Sequence, residues 1–137
     1  MLRIDWPPVV KLLMQKILIV DDDPHALGAL DYIVKHLYPD AKIHTSDGGL
    51  KGFNLYQKIQ PDLVITDLVM IGDQNDSGIR LIKRIREKDK KTPIVVYSGF
   101  AFEAMRDEAL SAGANIVITK PVATKVMDSI LIKYLPK

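Results

Sequence analysis

Short, largely apolar runs alternate along this chain with longer stretches in which apolar residues return every third or fourth position. The clearest short runs are Lys16–Val20, Leu63–Thr66, residues 94–97 and residues 115–119. Runs this short and β-branched suit strands covered on both faces. Residues 41–45 make a weaker strand, because they carry Lys42 and His44. Between the strands the period changes. Ala26, Leu27, Leu30, Ile33, Val34 and Leu37 predict a helix, with Asp23 as N-cap and Pro24 as first helical residue, ending near Tyr38-Pro39. A second helix is expected over 50–59 with Leu50, Phe53 and Leu55 inward. A third, over 79–88, has Ile79, Ile82 and Ile85 on one face and basic residues on the other. The last two are expected over 102–111, with Gly113 just past the end, and over 122–135. Turns fall at 46–49 and Thr92-Pro93, and a polar loop at 72–78.

Five strand–helix units in succession predict an α/β domain: a five-stranded parallel sheet with helices on both faces and right-handed crossovers. The expected domain runs over 14–137. Residues 1–13 form an N-terminal extension interrupted by Pro7-Pro8; Val9, Val10, Leu12 and Leu13 fit a short helix or a cover for an edge, and Met14 is itself a sensible start.

Composition narrows the function. With 137 residues there is room for one core, and a net charge of +2 demands no large nucleic-acid face. The absence of cysteine removes disulfides, thiolate metal sites and cysteine nucleophiles. His25, His36 and His44 form no close pair suited to zinc. No stretch approaches the roughly 18 apolar residues of a membrane span, and Asp5 with two prolines spoils the N-terminus as a signal peptide, so a cytoplasmic protein is expected.

In a parallel sheet all strands point one way, so Asp21, Asp22, Asp67, Ser98 and Lys120, which follow strands one, three, four and five, share one rim. Two carboxylates about 5 Å apart repel by roughly 3 kcal/mol at an effective dielectric near 20. Three at one edge call for a cation, and a hard divalent ion such as Mg²⁺ suits oxygen donors. Mg²⁺, the Lys120 ammonium and the Ser98 hydroxyl together stabilise the charge of phosphoryl transfer, and Asp67 is the candidate acceptor.

ILIVDDDP, DLVITD, VVYSG, AGAN and TKP resemble the receiver domain of bacterial two-component response regulators, over about residues 15–135. The resemblance implies a flavodoxin-like fold with strand order 2-1-3-4-5. It implies Asp67 as phosphoacceptor (4-aspartylphosphate), Asp21 and Asp22 as the acidic pair for Mg²⁺, and the Val69 carbonyl as a further protein ligand. Ser98 matches the switch hydroxyl, and Lys120 the lysine that pairs with the phosphoryl group. The implied partners are a histidine kinase or phosphotransfer protein and an unidentified downstream protein, engaged through a face over roughly residues 101–135. A phosphorylation-dependent homodimer is compatible with it. Neither direct nucleic-acid binding nor a membrane is implied, and the chain would be a phosphoacceptor rather than an enzyme, acting alone or as part of a longer regulator.

Three departures from that pattern carry consequences. Ile71 stands where the family usually has Pro, and the loop to Gly78 is longer than usual, with Asp73 and Asp76. Val117 stands at the usual aromatic switch position. Val69 and Phe100, at positions that modulate loss of the phosphoryl group, are bulky and apolar, so slow loss is expected. Two other functions fit parts of the pattern. Asp21 and Asp23 have the Asp-x-Asp spacing of aspartate-nucleophile phosphatases, with Asp21 as nucleophile. A receiver-like interaction module that needs no phosphate is the other.

Overall fold

The computed structural model describes residues 15–70, 77–99 and 102–137. In chain order the elements are β1 (Lys16–Val20), α1 (Pro24–Leu37), β2 (Lys42–Ser46), α2 (Gly49–Ile59), β3 (Leu63–Thr66), α3 (Gly78–Arg86), β4 (Ile94–Ser98), α4 (Glu103–Ala112), β5 (Ile116–Thr119) and α5 (Thr124–Tyr134). The strands form one sheet in the order β2-β1-β3-β4-β5, and every pairing is parallel. The α/β flavodoxin-like architecture expected from the sequence is present. The expectations for residues 1–13, for the loop with Asp73 and Asp76, and for Phe100 lie outside the described residues.

Strand alternation divides the core into two layers. Ile17, Ile19, Leu63, Ile65, Val95 and Ile118 pack with Leu30, Val34 and Tyr38 on the α1 side and Met127 and Leu131 of α5. Leu18, Val20, Val64, Ile94, Val96 and Val117 pack on the other face with Leu81, Ile82 and Ile85 of α3 and Ala109 of α4, and Phe53 and Tyr56 of α2 lean on that group. The side chains of β1 from Ile17 to Val20 are fully buried, each worth about 1.5–3 kcal/mol of apolar transfer. A rigid, doubly covered sheet fixes where its C-terminal rim lies.

Local chemistry sets the helix ends. Asp23 caps α1, accepting from the His25 N–H at 3.0 Å, and Pro24 follows. Gly113 closes α4 at φ 121°, a left-handed value that disfavours other residues. One inward assignment is corrected: Leu50 is 51% exposed. The buried positions of α2 are Gly49 and Gly52. A Cβ on Gly52 would lie 2.9 Å from a Val20 methyl, so the helix sits too close to β1 for a large side chain there. The inner face of α3 also includes Leu81, which is fully buried, whereas Ile79 is only partly so.

Candidate functional site

Backbone hydrogen bonds tie the strand ends together. The Asp67 N–H donates to the Val20 carbonyl at 2.9 Å, the Lys120 N–H to the Ser98 carbonyl at 3.0 Å, and the Asp21 N–H to the Ser46 carbonyl at 3.0 Å. Three of the few buried polar residues of the described chain meet here: Asp21 at 4% exposure, Asp67 at 7% and Ser98 at 0%.

The side chains of Asp21, Asp67 and Lys120 are in direct contact. Lys120 Nζ donates to Asp21 Oδ2 at 2.6 Å and to Asp67 Oδ2 at 3.2 Å. The remaining oxygens are also engaged. Asp67 Oδ1 accepts from the Leu68 N–H at 2.7 Å, and Asp21 Oδ1 from the Asp23 N–H at 2.9 Å. Burial alone would lower the Lys120 pKa. The hydrogen bond and charge of Asp21, together with Asp67, outweigh it and raise the pKa above its ordinary value. The ammonium therefore stays protonated between two carboxylates that would otherwise repel each other.

Asp22 is half-buried beside Asp21, and Val69, two residues beyond Asp67, is 36% exposed. Among the described residues no three Asp, Glu or His side chains group as a ready cage for a metal. That is no obstacle to Mg²⁺, which keeps several waters and needs only one or two carboxylates. Two buried carboxylates already sharing one cation are a donor set of the right charge and hardness for it.

Three contributors were not singled out in the sequence. Thr66 Oγ1 donates to the Asp67 carbonyl at 2.8 Å, and the Gly78 N–H donates to the Leu68 carbonyl at 3.1 Å; these fix the backbone on both sides of Asp67. Tyr97 places its ring 5.6 Å from Lys120 Nζ, and its hydroxyl accepts from the Val122 N–H at 3.3 Å. Strand alternation before Ser98 was the available signal for Tyr97.

A family model for the response regulator receiver domain matches residues 17–132. The chemotaxis protein CheY of Thermotoga maritima is 35% identical over 108 residues, which cover 78% of this chain and 86% of that protein. The methanol utilization control regulatory protein MoxX of Paracoccus denitrificans is 33% identical over 105 residues; these cover 77% of this chain and 46% of MoxX, so the chain matches about half of that relative. The receiver domain of a sensor histidine kinase from Pseudomonas aeruginosa PAO1, solved with magnesium coordinated in its active site cleft, has the same fold: TM-score 0.78 at 20% identity, over 90% of this chain and 99% of that one. The rim geometry, the strand order and these likenesses converge, and the chain belongs to the response regulator receiver domain family of two-component signalling.

Proposed function

We propose that this receiver domain is a switch turned by phosphorylation of Asp67. The observation that carries the reading is one ammonium, Lys120, shared by two buried carboxylates from different strand ends. A phosphohistidine on a histidine kinase or phosphotransfer protein is the donor. An Asp67 carboxylate oxygen attacks phosphorus. The P–N bond breaks with its electron pair going to the imidazole, which takes a proton from solvent, and Asp67 carries an acyl phosphate. Asp21, Asp22 and Asp67, with the Val69 carbonyl, would hold Mg²⁺, which when bound neutralises charge on the group in transfer.

Lys120 then pairs with the phosphoryl oxygens as well as with Asp21, and the Ser98 hydroxyl donates to them. The change at Ser98 and Lys120 alters how the face over residues 101–135 meets a downstream protein or a second copy of the chain. The change is a population shift, bounded by how differently the two states hold the phosphoryl group.

Intact-mass measurement after incubation with acetyl phosphate and Mg²⁺ tests this. One phosphoryl group is expected on the wild type and on none of the Asp67→Asn protein. Labelling that survives Asp67→Asn but not Asp21→Asn would overturn it in favour of Asp21 as nucleophile. No labelling of the wild type would point to a module that works without phosphate.

A further inference from the structure

Tyr97 and Ser98 are neighbours on β4 and face opposite layers of the sheet. Ser98 follows Val96 toward the α4 side, whereas Tyr97 packs with Val95 and Ile118 in the layer of α5. Both lie next to Lys120. Ser98 receives the Lys120 backbone N–H, and Tyr97 places its ring beside the Lys120 ammonium. The same tyrosine reaches the next segment through its hydroxyl, which accepts the Val122 N–H at 3.3 Å.

That bond matters because the start of α5 is weakly secured. Its N-cap, Ala123, makes no side-chain capping hydrogen bond. The first turn hangs on the Ala123 carbonyl, which accepts from Val126 and Met127 at 3.0 Å each. Met127 anchors this turn in the core at 1% exposure, while Val126 is 46% exposed. A shift at Val122 therefore moves an exposed apolar residue at the head of α5. Val117, the residue at the usual aromatic switch position, is 5% exposed, and its aliphatic side chain has no polar group with which to exchange partners.

We infer that Tyr97 couples Lys120 to the start of α5: its ring holds one side of the ammonium and its hydroxyl holds Val122, so displacement of the ammonium is passed to residues 122–127. The coupling rests on the reading of Asp67 as phosphoacceptor, since phosphorylation is what displaces the ammonium. Tyr97 is a positioning residue; it touches Lys120 and not the reacting atoms. An ammonium over a tyrosine face is attracted to it, so losing the ring removes the contact on that side of the lysine, which Asp21 and Asp67 still hold, and losing the hydroxyl frees Val122.

The test is amide hydrogen exchange at residues 122–127 on the full chain, before and after acetyl phosphate with Mg²⁺, with labelling followed by intact mass in the same samples. In the wild type, exchange at Val122 is expected to change by about three- to tenfold on labelling, the range for gaining or losing one hydrogen bond. Tyr97→Phe keeps the ring and is expected to be labelled but to show little change there. Lys120→Met and Tyr97→Leu are then combined in unlabelled protein. Each should perturb exchange at Val122, and the double variant should be no worse than Tyr97→Leu alone, because the lysine acts through the ring. Additive effects in that cycle, or a Tyr97→Phe protein that responds like wild type, would overturn the coupling while leaving Asp67 as acceptor. A wild type that takes up no phosphoryl group would overturn the acceptor reading itself, and the coupling with it. Should Tyr97→Leu fail to fold, Tyr97→Phe alone still decides.

Discussion

Gly78 lies so close to the backbone of Asp67 that a Cβ at Gly78 would stand 1.9 Å from the Asp67 carbonyl oxygen. The contact leaves no space for any side chain, and the backbone itself would have to move. Gly78→Ala is therefore expected to cost about 3 kcal/mol or more, as severe overpacking does, and to displace the candidate acceptor. Urea unfolding should show the loss of stability, and acetyl phosphate labelling should slow by at least about tenfold, the equivalent of 1.4 kcal/mol in the barrier. Gly28 is the control. A Cβ there would meet nothing within 4 Å, and the residue lies inside α1. Gly28→Ala should stabilise the protein by about 0.5–1 kcal/mol. If the two substitutions behave alike, the packing of Gly78 on Asp67 is not what limits the site.

On the proposed reading, Lys120 and a divalent cation would compete for the same oxygens. Asp21 Oδ2 and Asp67 Oδ2 both accept from Nζ, and the lysine side chain is only 23% exposed. Removing the ammonium should make Mg²⁺ binding tighter while making phosphoryl uptake slower. Lys120→Met is expected to lower the Mg²⁺ dissociation constant by about tenfold, since a charge this near is worth a few kcal/mol at an intermediate dielectric and solvent screens part of it. Asp21→Asn should weaken Mg²⁺ by a similar factor. In the wild type, Mg²⁺ at a hundredfold its dissociation constant should raise Tm by roughly 10 °C. Titration calorimetry and thermal unfolding on the three proteins check the signs. Weaker Mg²⁺ binding in Lys120→Met would contradict the competition.

Much of this arrangement is legible in the sequence, for a specific reason. Strands such as Lys16–Val20 and Leu63–Thr66 are buried on both faces, so their sequences are largely apolar and each is followed at once by a charged residue. The carboxylates of Asp21 and Asp67 were found because each breaks such a run. Helix α2 was harder to orient. At Gly52 it lies against Val20 of β1, and a rule that turns large apolar residues inward has no means of choosing glycine over Leu50. The role of Tyr97 was hidden for another reason. A tyrosine in an apolar strand reads as core, and its link to Lys120 spans two strand ends that become neighbours only through the β4–β5 pairing. Gly78 was hidden likewise, since its constraint is a backbone contact with residues 10 and 11 positions earlier.

Loss of the phosphoryl group should be slow. Water attacking an acyl phosphate is helped by a polar side chain that orients it, and Val69, exposed beside Asp67, offers none. Phe100 offers none by its chemistry. The combined substitution Val69→Asn with Phe100→Glu is expected to shorten the lifetime of the labelled protein by about tenfold, a modest positioning effect. The decay of the phosphorylated mass after removal of acetyl phosphate measures it. An unchanged or longer lifetime would show that these two positions do not control water.

At the other end of the sheet, Tyr56 and Asp89 form a brace whose pH dependence has two limbs. Asp89 Oδ1 accepts from the N–H groups of Lys91 at 2.9 Å and Thr92 at 3.0 Å; Oδ2 accepts from the Thr92 hydroxyl at 2.5 Å and from the Tyr56 hydroxyl. Burial would raise the Asp89 pKa, but these hydrogen bonds outweigh it and hold the carboxyl well below the usual carboxylate range. Burial, then the bond to Asp89, pushes the Tyr56 phenol from 10.0 up to about 12. The signs follow from linkage. A carboxyl depressed in the folded state contributes stability that is present above its unfolded value near 4 and lost as pH falls below it. A phenol raised in the folded state contributes stability that is complete below its unfolded value near 10 and is lost as pH rises from there through about 12. Asp89→Asn should therefore flatten the acid limb of a stability profile, and Tyr56→Phe the alkaline limb. Part of the alkaline limb should persist in Tyr56→Phe, because burial and then the charge of Asp128 also raise Tyr38 to about 12; adding Tyr38→Phe should remove that part too. Urea midpoints measured from pH 3 to pH 11 would show it, and an alkaline limb untouched by both tyrosine substitutions would assign it to other groups.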